Sequence, residues 1–173
     1  MMNQDELNDA AFALRAWQEA MANLAESIVW FQHIEATLSI CSAIFADMEE
    51  EIGEIVTSEM SFRARVATLS APATHHSATD YLHDDIKGLL RRLRWAEEER
   101  NRLVHSMWDL NGKKPGAIQR TKKAIRKNKH REEFEDFVPD DLQDLRNLFE
   151  GINTDLVYLL SKHYPRFRGQ FHY

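Results

Sequence analysis

"AEEERNRLVHSMWDL", residues 96–110, decides how this chain is read. Strong helix formers lead into it, and an apolar stripe runs through it. At about 100° per residue, Arg100 points within about 20° of Leu89, Leu93 and Met107. An arginine cannot deprotonate, and a single charge sealed in a core costs several kcal/mol. Either a carboxylate from another helix meets Arg100, or that face opens on water and an anion. Glu35, beside the apolar stripe of an earlier helix, is the carboxylate the sequence offers.

Outward from this stretch, helical spacing is everywhere. Leu82, Ile86, Leu89, Leu93, Ala96, Leu103, Val104 and Met107 share one face, each within about 60° of one direction. The spacing predicts a helix ending near "DLNGKKPG", a turn cluster. Upstream, Leu7, Leu14, Met21, Leu24 and Ile28 form one stripe, and Ile34, Leu38, Cys41, Phe45, Met48 and Ile52 a second. Whether the chain breaks between them near Ser27 is open. The acidic "DMEEEIGEIV" is expected to turn at Gly53 or shortly after. "SFRARVATL" reads as a shorter helix through Phe62, Val66 and Leu69, and "SAPATHHSATD" as its end and a loop. The last helix follows "VPDD". Pro139 suits its first turn and Asp140 and Asp141 its positive end, with Leu142, Leu145, Leu148, Phe149, Ile152, Leu156 and Leu159 inward and Pro165 as its stop. Residues 117–137 are basic and irregular, with "AIQRT" as a candidate strand. The expected fold is an all-α bundle of four to six helices, with a basic loop or short hairpin before the last helix. One domain spans residues 1–165, and a basic aromatic tail follows at 166–173.

Composition narrows the function. The chain has 173 residues, 43% hydrophobic and 29% charged, with six glycines and four prolines. That is a globular composition with no membrane-length apolar run. No signal peptide opens it and Cys41 has no second cysteine to pair with, so a cytoplasmic location is the default. Cys41 lies on an apolar face and reads as a small core residue. Net charge is −6, unevenly spread. Residues 1–60 hold twelve acids and one base, whereas residues 113–131 hold nine bases and no acid. Lys122, Lys123 and Arg126 are therefore the candidate nucleic-acid contacts. The plainer alternatives are a solvated loop or a patch facing the acidic half of a second copy.

No phosphate loop, zinc signature or nucleophile elbow is present. "HHSATDYLHDD" places His76, Asp80 and His83 or Asp84 at ligand-like spacing. The segment is polar throughout and reads as a solvated helix start, so no metal and no cofactor is expected. What remains is Arg100, Asn101 and His105: a fixed cation, an amide that can orient a neighbour, and a ring that titrates near neutrality. Metal-independent RNA cleavage needs a base for the 2′-hydroxyl proton, an acid for the leaving 5′-oxygen and a cation for the phosphate. One histidine cannot readily move both protons, so two sites joined in a dimer would serve. The plainer alternative is a surface histidine beside an arginine in a structural ion pair.

"RNRLVH", Arg100 to His105, resembles the arginine–x4-6–histidine motif of the HEPN superfamily, all-α domains of which many are ribonucleases in toxin–antitoxin and phage-defence systems. "RRLRWAEEERNRLVHSMWD", "WFQHIEATLS" and "SFRARVATL" are similar to helices of small bacterial members. The resemblance implies a homodimer with one composite, metal-free RNA site. In it His105 would be the general acid/base, Arg100 the phosphate-stabilising cation and Asn101 the positioning residue. Glu35 enters only as the supporting carboxylate of the burial argument. An antitoxin or regulatory protein is a further partner the resemblance implies. Met107 stands where members paired with nucleotidyltransferase antitoxins often have a modified tyrosine, which argues against that kind of control. The competing expectation is a non-catalytic HEPN-like module that binds a nucleotide, RNA or another protein.

Overall fold

The computed structural model describes residues 3–46, 48–75, 80–110, 112–113, 116–126 and 129–163. Five helices carry most of this chain: α1 (Gln4–Phe45), α2 (Glu50–Ser58), α3 (Phe62–His75), α4 (Asp80–Val104) and α5 (Pro139–His163). Between α4 and α5 lies an antiparallel sheet of β1 (Met107–Asp109), β2 (Ile118–Arg126) and β3 (Lys129–Phe137), in the order β1-β2-β3. The fold is thus mainly helical, as expected. Among the described residues no helix is long and apolar enough to cross a membrane.

The first apolar stripe and the second as far as Phe45 lie on one helix, whereas Ile52 of the second stripe belongs to α2. α1 runs 42 residues without a break. A reciprocal cap starts it: the Glu6 amide donates to Asn3 Oδ1 and the Asn3 amide to Glu6 Oε2, each at 2.8 Å. Ser27 does not interrupt it, because its hydroxyl donates to the Asn23 carbonyl of the preceding turn at 2.8 Å. At the far end the Met48 amide donates to the Ala43 carbonyl at 3.0 Å, a bond that closes the last turn. The acidic stretch then forms α2 rather than turning at Gly53. Its apolar Ile52, Ile55 and Val56 face outward, while Gly53 and Thr57 are buried.

The chain divides into two compact units. One joins Val29–Glu99 with the stretch from Phe149, and is a helical bundle around Phe31. Phe31 stacks on Phe62 at 4.9 Å and meets the edge of Phe149 at 5.9 Å, and Trp95 meets Phe149 at 6.2 Å. Ile34, Leu38, Cys41, Val66, Leu69, Ile86, Leu89, Leu93, Ala96, Ile152, Leu156 and Leu159 complete this core. Buried Thr37 donates to Asn153 Oδ1 at 3.0 Å, so its polar group stays satisfied. α3 is capped by Ser61, whose hydroxyl accepts the Ala64 amide at 3.2 Å. It continues past Pro72 to His75, longer than the spacing predicts.

The other unit joins the chain up to Ile28 with Arg100–Leu148. Here α1 is largely exposed. Leu7 and Leu14, expected inside, are 48% and 53% exposed, while Ala16 and Ala20 are buried. Asn23 Nδ2 donates to the Pro139 carbonyl at 3.2 Å and Arg146 pairs with Glu26 at 2.9 Å, tying α1 to the start of α5. The α5 start behaves as expected: Pro139 opens it, and the Val138 amide donates back to Asp141 Oδ2 at 2.9 Å. Leu148, expected inward, is 40% exposed.

The insertion is a hairpin of two nine-residue strands rather than a loop. Its register is set by charge and apolar matching. Ile118 lies opposite Phe137, Arg120 opposite Glu135, Lys122 opposite Glu133 and Lys123 opposite Glu132. β1 adds Trp108 opposite Arg120. Consequently α4 ends at Val104, short of Met107. Trp108 Nε1 donates to the Leu103 carbonyl at 3.1 Å and Ser106 Oγ to the Arg102 carbonyl at 2.6 Å, satisfying carbonyls that a longer helix would have used. Val104 and Met107 are 42% and 62% exposed instead of buried.

Candidate functional site at the end of helix four

The residues of "RNRLVH" occupy the last turn of α4 and the position just after it. Arg100 and Asn101 are half-buried, and Arg100 Nη1 donates to Asn101 Oδ1 at 3.1 Å. The His105 amide donates to the Asn101 carbonyl at 3.1 Å, extending the turn by one bond, and the residue is exposed. Asn101 therefore links the other two, through its side chain to the guanidinium and through its backbone to the histidine. Five residues of helix rise about 7.5 Å along the axis.

Arg102 and Trp108 support this turn. Arg102 Nη2 reaches Glu135 Oε2 at 3.5 Å, and the same oxygen receives Arg120 Nη2 at 2.6 Å. Arg120 is 5% exposed, lies 5.8 Å from the Phe137 ring centre and leaves its Nε without a partner. Trp108 packs edge-on against Phe137 at 5.4 Å. One carboxylate and one aromatic cluster thus clamp the sheet to the end of α4. The sequence reading misses Arg120, Arg102 and Glu135, because only the strand register sets Arg120 opposite Glu135, and only the docking of the sheet on α4 brings Arg102 to the same carboxylate. The inward alternation of Ile118 and Arg120 is the one local signal that could have found Arg120.

The other expected site residues lie elsewhere. Glu35, offered as the answer to Arg100, pairs with Arg65 at 3.8 Å. Arg65 also donates to the Thr57 carbonyl at 2.9 Å, so this pair ties α1 and α3 to the end of α2. Lys122 and Lys123 are exposed on β2, but β3 sets acids against them, and Lys123 Nζ lies 3.4 Å from Glu132 Oε1. Arg126 ends β2 opposite Lys129. At Lys122 and Lys123 the hairpin thus sets acids opposite its bases, while the side chain of Arg126 lies outside the described ones. Of the metal-like cluster, His76 lies outside the described residues, and Asp80, His83 and Asp84 fall in the first two turns of α4.

Burial removes Cys41 from the chemistry. The residue is fully buried, and loss of solvation pushes its thiol far above the usual cysteine range. It is a protonated core group, not a nucleophile.

A scan against protein-family models, a search of curated proteins and a search of solved structures each find no match to this chain.

Proposed function

We propose that this protein is a metal-independent endoribonuclease of the HEPN type, a cytoplasmic homodimer in a toxin or phage-defence role. The observation that carries the proposal is the Arg100–Asn101 contact one turn before an exposed His105. Asn101 limits the freedom of the guanidinium, which lowers the cost of placing it on a phosphate. His105 removes the 2′-hydroxyl proton of the bound nucleotide. The 2′-oxygen attacks phosphorus, the bond to the 5′-oxygen breaks, and the same histidine of the second copy protonates that oxygen. Arg100 stabilises the charge on the phosphate between them. The products are a 2′,3′-cyclic phosphate and a 5′-hydroxyl. Exposed Val104 and Met107 flank His105, and such an apolar rim suits a cleft closed by a second chain.

The test is cleavage of RNA by the purified protein in EDTA. His105→Ala and Arg100→Ala should each lose about 100-fold or more in rate, with dimerisation unchanged. A protein that cuts no RNA class offered, or a His105→Ala variant as active as the parent, defeats the proposal. Binding of RNA without turnover would instead identify the non-catalytic module.

A further inference from the structure

A ribonuclease needs a surface for the phosphates flanking the one it cuts, and the β2 lysines are poor candidates because acids of β3 oppose them. α4 carries a better one. Lys87, Arg91 and Arg94 are all exposed, and among the described residues none makes an ion pair or a side-chain hydrogen bond. Their neighbours on the same helix are committed: Arg92 pairs with Asp155, and Glu97 with Arg63 at 3.1 Å. Glu98, four residues beyond Arg94, forms no ion pair with it.

Spacings of four and three place the three cations on one face of the helix, over about 10 Å of its length. With Leu90, which is 8% exposed, they line a cleft of about 450 Å³. Like charges at these spacings repel one another. A bound polyanion relieves that repulsion and releases the counterions the ridge would otherwise hold. Two guanidiniums suit phosphate oxygens, and the Leu90 floor suits the apolar face of a base or ribose.

We infer that Lys87, Arg91 and Arg94 are the phosphate-binding ridge for single-stranded RNA. The inference rests on the RNA substrate proposed above and moves the nucleic-acid surface from the hairpin to α4. The experiment measures binding of a labelled 2′-O-methyl oligouridylate, which has no nucleophile to be cleaved, over a range of salt concentrations. Lys87→Gln/Arg91→Gln/Arg94→Gln, substituted only at exposed positions and checked by circular dichroism, should lower the slope of log K against log salt by about 2, at about 0.7 for each single-strand phosphate. Lys122→Gln/Lys123→Gln should leave the slope close to that of the parent. His105→Ala should keep the parent slope while losing cleavage of unmodified RNA. An unchanged slope in the triple variant, or no binding by the parent, overturns the inference. So does a triple variant whose only change is loss of self-association, which would assign the ridge to an acidic face of a second copy. Ridge-dependent binding by a parent that cuts nothing keeps the ridge and defeats the ribonuclease reading alone.

Discussion

Two glycines within helices make opposite predictions for the same substitution. Glycine in a helix interior costs about 1 kcal/mol relative to alanine, so Gly→Ala stabilises where the methyl has room. At Gly88 of α4 an added Cβ meets no atom of the described residues within 4 Å. Gly88→Ala should therefore stabilise the protein by about 0.5–1 kcal/mol. At Gly53 of α2 the added Cβ would stand 2.5 Å from Ala43 Cβ, with Ala43 Cα at 3.6 Å and Met48 Cβ at 3.8 Å. Carbon atoms prefer about 3.5–4.0 Å, so α2 must retreat from the end of α1 by about 1 Å. Ala43 has no flexible end to yield, and such overpacking costs about 1–3 kcal/mol. After the intrinsic gain, Gly53→Ala should be neutral to destabilising by about 2 kcal/mol. The assay is urea unfolding followed by circular dichroism, with m unchanged as the check that only native stability moved. Ala43→Gly in the Gly53→Ala background should recover most of the loss, the pair coupling by about 1–3 kcal/mol. If Gly53→Ala stabilises as much as Gly88→Ala, the close approach of α2 to α1 is wrong.

Two further predictions concern buried groups. Arg120 is buried with one unanswered nitrogen and pairs with a half-exposed Glu135; Glu135→Gln should cost about 1–2 kcal/mol, below the value for a sealed pair because water screens the carboxylate, whereas Arg120→Met should be neutral or stabilising. Thermal unfolding of both variants decides this, and a larger loss in Arg120→Met than in Glu135→Gln would refute it. Cys41 should resist iodoacetamide in the native protein and react fully in urea, as mass spectrometry would read. Below about pH 8.5 its thiol is protonated in both states and contributes no pH dependence. Above that, the unfolded chain releases the proton while the raised native thiol keeps it, so this group lowers stability by about 1.4 kcal/mol per pH unit. A Cys41→Ala variant with an identical alkaline slope would show that other groups cause the decline.

Much of the helical framework is legible without tertiary information. Phe62, Val66 and Leu69 of α3, Ile86, Leu89, Leu93 and Ala96 of α4, and Leu142, Leu145, Phe149, Ile152, Leu156 and Leu159 of α5 are all inward, as their spacing predicts. Periodicity reports a face wherever one face is buried along the whole helix. It fails on α1, where Leu7 and Leu14 share the stripe but not the burial. A period states which residues share a side and not whether anything covers it. It also fails between Phe45 and Glu50, because two helices joined by a tight turn can continue one apparent stripe.

The three-residue cluster at the end of α4 is local, so the chain alone places Arg100, Asn101 and His105 within about one and a half turns of each other. Which carboxylate meets which cation is not local. Glu35 goes to Arg65, Lys123 to Glu132 and Arg120 to Glu135, and each choice depends on helix docking or strand register that no window of the sequence contains. The same long-range pairing ends α4 at Val104 and sets acids opposite Lys122 and Lys123. It leaves the cations Lys87, Arg91 and Arg94 exposed and unpaired among the described residues. Spacing along the chain chooses the helices and the motif, and the partners that folding brings within a few ångströms choose which charges remain available for a ligand.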